Sequence, residues 1–126
     1  MNKELVIKKC KKCGATVRIL EDCKCSGCGM ICCEETMEQL TPNSVDAAVE
    51  KHLPTYEKMD DGIFVKVNHV MEKEHFIEWI ALVFENKEYF VTLYPEQNAE
   101  CHLPYIPGSK LYAYCNKHGL WKTEVK

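Results

Sequence analysis

Cysteine is concentrated at one end of this chain. The sequence has 126 residues and nine cysteines, and seven of those cysteines lie within the first 33 residues. A segment of that length buries too little apolar surface to fold without a covalent cross-link or a bound metal ion. Disulfides or a metal ion held by thiolates must therefore stabilise it. The seven residues are Cys10, Cys13, Cys23, Cys25, Cys28, Cys32 and Cys33.

The start of the sequence favours metal over disulfides. The segment MNKELVIKKC lacks the apolar stretch and the small-residue cleavage site of a secretory signal. No run approaches the about 18 apolar residues of a membrane-spanning helix. We therefore expect a cytoplasmic protein with no membrane partner, whose thiols stay reduced and available to a metal ion. The formal net charge of −3 argues against a dedicated nucleic-acid partner.

The remainder of the chain has the pattern of an antiparallel β domain. Short runs rich in β-branched and aromatic residues recur from about residue 55, separated by turn signals, which is typical of a β-sandwich. Residues 76–84 are apolar apart from Glu78, which predicts a strand buried on both faces. Residues 44–53 have the pattern of a short helix that Pro54 would end. The sequence thus predicts a mainly β protein, with a cysteine metal-binding domain at 1–37 and a β domain at 38–126.

The cysteine-rich segment offers more sulfurs than one metal ion can take. Cys10 and Cys13 share one turn and can bind one ion, but a tetrahedral site needs a second pair. Two second pairs are available. Cys25 and Cys28 repeat the first spacing, as in a zinc ribbon, whereas Cys32 and Cys33 are adjacent. Spacing alone leaves this choice open.

All five histidines follow the cysteine-rich segment. His118 lies three residues after Cys115, so that both side chains can reach one ion, although this spacing is only moderately specific. Taken alone, the residues leave two other functions open. One is a zinc-ribbon-type binding or structural module on a β-sandwich, and the other is a rubredoxin-like electron carrier that uses only the cysteine site.

The combined motifs are more specific than any one of them. CKKCG, ICCEETM, EKHLP, a histidine pair separated by five residues and running into FIEW, and YCNKHGLW occur in this order. Their order and separations resemble the desulfoferrodoxin family, the two-domain superoxide reductases, over essentially the whole chain. The resemblance implies a desulforedoxin-like (rubredoxin-like) N-terminal domain with an Fe(Cys)4 centre. It also implies an immunoglobulin-like β-sandwich that carries a catalytic Fe(His)4Cys centre.

The resemblance also assigns ligands at matching positions. The implied ligands of the catalytic iron are His52, His69, His75 and His118, with Cys115 as the axial thiolate. Those of the N-terminal iron are Cys10, Cys13, Cys32 and Cys33, with Cys25 and Cys28 as alternatives to the last two. Glu50 and Lys51 match the loop over the open face of the catalytic iron. Cys101 and His102 have no counterpart and are expected to be structural or surface residues.

The activity that this resemblance implies is the one-electron reduction of superoxide to hydrogen peroxide without release of dioxygen. Five ligands leave one position open on a six-coordinate ion, and such a set favours redox-active iron over zinc, which prefers four. Lys51 would attract the anion, and Glu50 would cap the ferric ion. The expected partners are an electron donor such as rubredoxin and a second copy of the chain. Zinc is expected to be able to replace iron at the N-terminal site.

Overall fold

The fold is built from short antiparallel strands that form two separate units. The computed structural model describes residues 4–27 and 29–126; Cys28, an alternative ligand in the sequence analysis, lies outside the described residues. Contacts divide the described chain into Glu4–Thr41 and a second unit that begins at Pro42. The boundary expected after residue 37 falls just before a short strand, Glu38–Gln39, that pairs within the first unit.

The first unit holds its strands together with very little core. A three-stranded antiparallel sheet has the order β2-β1-β5, and β3 and β4 form a separate hairpin. Among the described residues of this unit, the buried apolar side chains are Leu5, Ile7, Cys10 and Met37. So small a core cannot offset the entropy of ordering the segment, which agrees with the need for a bound ion. The strands are β1 (Ile7–Lys9), β2 (Thr16–Arg18), β3 (Ile31–Cys32), β4 (Glu35–Thr36) and β5 (Glu38–Gln39).

The second unit is a sandwich of two antiparallel sheets. The strand order is β10-β7-β6 in the three-stranded sheet and β12-β11-β8-β9 in the four-stranded sheet. The strands are β6 (Thr55–Met59), β7 (Gly62–Lys66), β8 (Ile77–Phe84), β9 (Lys87–Thr92), β10 (Glu100–Leu103), β11 (Lys110–Cys115) and β12 (Gly119–Glu124).

The core of the sandwich is formed by inward-facing residues of β7, β8 and β11. Ile77 and residues 80–83 of β8 are buried, so this strand is covered on two faces as the apolar run predicted. All six residues of β11 are buried as well. Each fully buried aliphatic or aromatic side chain contributes about 1.5–3 kcal/mol. The sandwich therefore has an ample core of its own. Its fully buried members include Ile63, Val65, Ile80, Leu82, Leu111 and Ala113.

The predicted fold class, a small metal-binding domain followed by a β-sandwich, is confirmed. The helix expected over residues 44–53 is wrong: this segment contains only a 3-10 turn at Val49–Lys51. Ala48 before the turn is extended, with φ −63° and ψ 111°, and no side chain caps the turn. An uncapped segment of this length cannot nucleate a helix in water. Within the described residues, no helix is long and apolar enough to cross a membrane.

Candidate metal centres

The sandwich brings one cysteine and four histidines to the same end. A β-bulge interrupts the pairing of β11 with β8 between Tyr114 and Cys115, and bulges commonly redirect a side chain towards a functional site. Residues 116–118 then form a tight hairpin loop into β12. Gly119 ends that loop at φ +81°, and a Cβ there would lie 3.0 Å from Val45 Cγ2, so glycine is required. The loop carries His118.

The other three histidines come from two segments beside this hairpin. His52 follows the 3-10 turn, while His69 and His75 both lie in the connection between β7 and β8. A pair of backbone hydrogen bonds between Glu72 and His75, with N···O distances of 3.0 and 3.2 Å, closes that connection into a tight loop. The five predicted residues, far apart in sequence, therefore lie together.

The five donor atoms have the spacing of ligands on one ion. All of them lie within 4.8 Å of one another. His118 Nδ1 is 3.1 Å from His52 Nε2 and 3.3 Å from His75 Nε2. Cys115 Sγ is 3.4 Å from His69 Nε2 and 3.8 Å from His118 Nδ1. Neighbouring nitrogens bound at right angles, at about 2.1 Å from an ion, are about 3.0 Å apart, so the set fits a single metal ion.

Backbone carbonyls fix the orientation of two imidazoles. His52 Nδ1 lies 2.7 Å from the Ala48 carbonyl oxygen, and His69 Nδ1 lies 2.5 Å from that of Val70. Because a carbonyl oxygen can only accept, each Nδ1 carries the proton and donates. Each Nε2 then presents a lone pair to the cluster, the arrangement that metal-binding histidines usually adopt.

Burial keeps the imidazoles of His69 and His118 in the form that binds metal. It is the main cause that lowers the pKa of His69 and of His118, and the neighbouring imidazoles lower both further. A lowered pKa keeps an imidazole neutral to more acidic pH, and only the neutral ring is a ligand. Cys115 is fully buried beneath the histidines and accepts a hydrogen bond from the backbone N–H of His118 at 3.4 Å.

Trp121 supports the site in a way that the sequence analysis did not anticipate. Its ring stacks on His52 with centroids 5.0 Å apart and an interplanar angle of 21°. Its indole N–H donates to the carbonyl oxygen of His118 at 3.0 Å. One buried side chain thus contacts two of the clustered histidine residues. The signal in the sequence that could have identified Trp121 is its position in YCNKHGLW, three residues after His118.

A cavity of about 450 Å³ lies beside the imidazoles. Lys51 lines it, as do Asp46 and Glu72, two carboxylates that the sequence analysis did not select. Glu50 lies on the exposed 3-10 turn and is not among the lining residues that the structure describes. The structure therefore places Lys51 beside the cluster and leaves Glu50 outside the cavity. This cavity gives a small reactant access to the cluster.

The first unit gathers four sulfurs. The Sγ atoms of Cys10, Cys13, Cys32 and Cys33 lie within 4.8 Å of one another. Cys13 Sγ is 3.6 Å from Cys32 Sγ, and Cys32 Sγ is 3.9 Å from Cys33 Sγ. Sulfurs at about 2.3 Å from a tetrahedral ion are about 3.8 Å apart. These four sulfurs therefore match a closed tetrahedral site.

Two unusual turns bring these sulfurs together. Gly14, at φ +80°, allows its N–H to donate to the Cys10 carbonyl oxygen and closes the CKKCG knuckle. Between β3 and β4, Cys33 and Glu34 have φ values of 52° and 66°. A two-residue hairpin with positive φ at both positions is a type I′ turn, which normally selects glycine or asparagine. A bound metal ion would offset the strain of placing Cys33 there.

The pKa values of two thiols in this cluster are shifted in opposite directions. The backbone N–H of Cys13 is the main cause that lowers the pKa of Cys10 to about 7. Hydrogen bonds from its thiol to Cys13 and Cys10 raise the pKa of Cys32 to about 12. One sulfur thus ionises easily while another holds its proton. A metal ion would displace that proton as it binds.

Among the residues that the structure describes, the remaining cysteines and His102 lie outside both clusters. Cys25 is disulfide-bonded and is not among the four clustered sulfurs, so Cys32 and Cys33 are the pair placed beside Cys10 and Cys13. Cys23 is an exposed free thiol. Cys101 is a free thiol on β10 whose pKa burial raises to about 11. On the same strand, His102 packs against Phe64 with ring centroids 5.1 Å apart.

Fold and donor sets define a two-centre metalloprotein, with a four-cysteine unit and a β-sandwich carrying four histidines and one cysteine. The Desulfoferrodoxin family model matches residues 44–124. The chain is 44% identical to a desulfoferrodoxin of Syntrophotalea carbinolica, over 98% of this chain and 99% of that one. It is 42% identical to a desulfoferrodoxin of Desulfarculus baarsii, again over 98% and 99%.

A solved structure is similar over both units. A superoxide reductase from Treponema pallidum matches 97% of this chain and 100% of its own, with a TM-score of 0.73 and 26% identity. The chain belongs to the desulfoferrodoxin family. The resemblance that its motifs indicated is confirmed.

Proposed function

We propose that this protein is a superoxide reductase, which reduces superoxide by one electron to hydrogen peroxide without releasing dioxygen. The observation that carries the proposal is the convergence of four imidazoles and one buried cysteine sulfur beside an open cavity. The name of the similar Treponema pallidum structure, a superoxide reductase, supports it. Iron at this site would supply one electron through a position left open by five protein ligands. The proposed ligands are His52, His69, His75, Cys115 and His118.

The cysteine ligand would set the reactivity of this centre. Cys115 would hold the ion through its sulfur, and a thiolate ligand would raise the electron density on the metal, as in thiolate-ligated haems. Full burial of Cys115 keeps water from the sulfur, and the backbone N–H of His118 would partly offset the negative charge of a thiolate there. Cys115 would thereby favour electron donation into the cavity side of the centre.

Charged groups at the cavity would handle the anion and its protons. Lys51 lines the cavity and presents a cation that would attract superoxide and order a water molecule for proton delivery. Glu50 is proposed as the carboxylate that caps the oxidised centre. Because Glu50 is exposed and does not line the cavity, that role requires its side chain or the turn to move.

The four-cysteine unit is proposed to hold a second iron through Cys10, Cys13, Cys32 and Cys33, with zinc able to replace it. Four thiolates in a closed tetrahedron leave no position for a substrate. This centre would therefore stabilise the first unit or store an electron. An electron donor such as rubredoxin would reduce the protein in the cytoplasm.

A homodimer through the first unit is part of this proposal. Leu20 and Ile31 are 74% and 64% exposed, and Val17 is partly exposed beside them. These side chains line a groove of about 560 Å³ together with Met30 and Met37. Exposed apolar patches often mark protein interfaces. Light scattering should give the mass of a dimer, and Leu20→Lys should shift it towards the monomer; a monomeric parent would refute the dimer.

Iron analysis combined with a superoxide assay tests the proposed activity. The protein is reduced and mixed with superoxide in a pulse-radiolysis experiment, and hydrogen peroxide and dioxygen are measured. We expect two iron ions per chain, rapid second-order oxidation, and hydrogen peroxide without dioxygen. Zinc at both sites with no reaction would favour the binding-module alternative. Reversible oxidation of the cysteine centre with no reaction of superoxide would favour the electron carrier.

A further inference from the structure

Asn116 joins the two chain segments that carry three of the five clustered donors. It lies directly after Cys115 and two residues before His118. Its side-chain Oδ1 accepts a hydrogen bond from the Phe76 backbone N–H at 3.1 Å. Its Nδ2 donates to the Glu74 carbonyl oxygen at 2.9 Å. These two backbone groups lie on either side of His75.

The side chain of Asn116 makes its hydrogen bonds at the point where the pairing of β11 with β8 ends. The ladder between β11 and β8 shifts at the bulge and stops at Cys115 opposite Ile77. Beyond that point, the Asn116 backbone N–H donates to the Phe76 carbonyl oxygen at 3.3 Å, and the side-chain amide adds the two bonds to residues 74 and 76. Three hydrogen bonds thus continue the connection past the end of the sheet. The Asn116 side chain thus adds two bonds to the one that its backbone N–H makes beyond the end of the ladder.

We infer that Asn116 is a positioning residue that fixes the separation between the loop carrying Cys115 and His118 and the segment carrying His75. This inference rests on the proposed function, because it concerns the metal ion proposed to lie among these donors. Partners that orient metal ligands typically change metal affinity by about 10–100-fold when they are removed. Loss of the amide would let the two segments separate, which would alter the metal–thiolate bond and speed loss of the ion.

The chain supplies a matched control for a purely structural role. Asn43 makes the same kind of double contact in the same unit: its Nδ2 donates to the Lys122 carbonyl oxygen at 3.2 Å, and its Oδ1 accepts from the Lys122 N–H at 2.8 Å. Neither contact of that amide involves a clustered donor residue. Asn43 also has φ +59°, so that alanine there adds backbone strain to the two lost bonds. Asn43→Ala should therefore cost at least as much stability as Asn116→Ala.

The experiment compares the two alanine variants as full-length, iron-loaded protein. Two quantities are measured: the thiolate-to-iron absorption band of the oxidised histidine-cysteine centre, and its rate of decay after a chelator is added. Subtracting the spectrum of Cys115→Ser removes the contribution of the four-cysteine centre. We expect Asn116→Ala to shift or broaden the band and to speed its decay about tenfold. Asn43→Ala should leave both unchanged while lowering the unfolding temperature.

An unchanged band and decay rate in Asn116→Ala would overturn the inference. An equal change in Asn43→Ala would also overturn it, because general destabilisation would then suffice. If Asn116→Ala does not fold, Asn116→Asp keeps the acceptor for Phe76 and loses the donor to Glu74. An unchanged band in Asn116→Asp would also overturn the inference. A parent that shows the band but does not reduce superoxide would refute the proposed function and leave this inference standing.

Discussion

The two clusters differ in how far apart in the sequence their members lie. In the first unit, the contact between Cys10 and Cys32 spans 22 positions, and short turns bring the sulfurs together. In the second unit, the contact between His52 and His118 spans 66 positions, and the sandwich brings the residues together. The first unit has four buried apolar residues among those described, whereas the sandwich has a continuous core. We conclude that the first unit needs its metal in order to fold, whereas the second must fold in order to bind its metal.

The largest expected effect is the loss of the first unit when its metal is removed. Cys13 is exposed, so Cys13→Ser sacrifices little packing and mainly removes one ligand. Hydrogen exchange should then show loss of amide protection throughout residues 4–27 and 29–41, with β8 and β11 still protected.

The matched variant in the other unit is His118→Ala. It should release the metal of the sandwich while β8 and β11 keep their amide protection, because their buried side chains remain packed. If this variant loses protection across the sandwich, or if Cys13→Ser leaves the first unit protected, the contrast between the two units is wrong.

The next effect concerns the sulfur of the second centre. Cys115→Ser should abolish its visible thiolate-to-iron band, because a serine oxygen does not supply the same charge-transfer donor. Cys101→Ser is the control, since Cys101 also lies on a sandwich strand but outside the cluster. That variant should keep the full band, as measured by absorption of the oxidised protein. A full band in Cys115→Ser would exclude Cys115 as a ligand.

Acid should release metal from the two centres at different pH values. A free site binds more protons than a metal-bound one, so metal affinity falls as pH falls through the pKa of each ligand. The pKa of Cys32 is raised to about 12, so protons compete with metal there throughout the neutral range. The pKa values of His69 and His118 are lowered, so protons compete for those two ligands only in more acidic solution.

Chelator competition between about pH 8 and about pH 6 measures this difference. The affinity of the four-cysteine centre should fall more steeply than that of the histidine-cysteine centre over this range. Equal slopes would mean that the thiol protons of the first unit do not control metal binding.

Much of the sandwich was predictable, but two of its strands carry little signal of their own. The apolar run at residues 76–84 predicted β8, and the recurring runs from about residue 55 predicted the other strands of the sandwich only in outline. β6 and β10 lie at the two edges of the three-stranded sheet, and four of the five residues of β6 are exposed. An edge strand of this kind is fixed by its pairing with β7 and not by an apolar pattern within its own sequence.

For the candidate site too, features set by local sequence were predictable, and features set by distant residues were not. The resemblance of the motifs to the desulfoferrodoxin family implied the ligands, and the structure brings those side chains together. The course of the loops could not be read from spacing. It depends on positive φ values at Cys33 and Glu34 and on the backbone around the 3-10 turn, which leaves Glu50 outside the cavity. Glu72 reaches the cavity from the connection between β7 and β8. The amide contacts of Asn116 depend on a bulge, which no short motif specifies.

The smallest expected effect tests whether the second centre is the one open to an anion. Lys51→Ala should slow the second-order reaction with superoxide several-fold and weaken its dependence on ionic strength, because a cation lining the cavity is removed. Lys87→Ala is the control: Lys87 begins β9 beside Phe84, at the end of β8 opposite to the histidine loop, and its loss changes the net charge equally. Pulse radiolysis over a series of salt concentrations measures both variants.

A local role for Lys51 predicts a larger effect than that of Lys87, whereas equal small effects would indicate that only the net charge of the protein matters. An unchanged rate and salt slope in Lys51→Ala would remove that side chain from the mechanism and leave Asp46 and Glu72 as the charged groups lining the cavity.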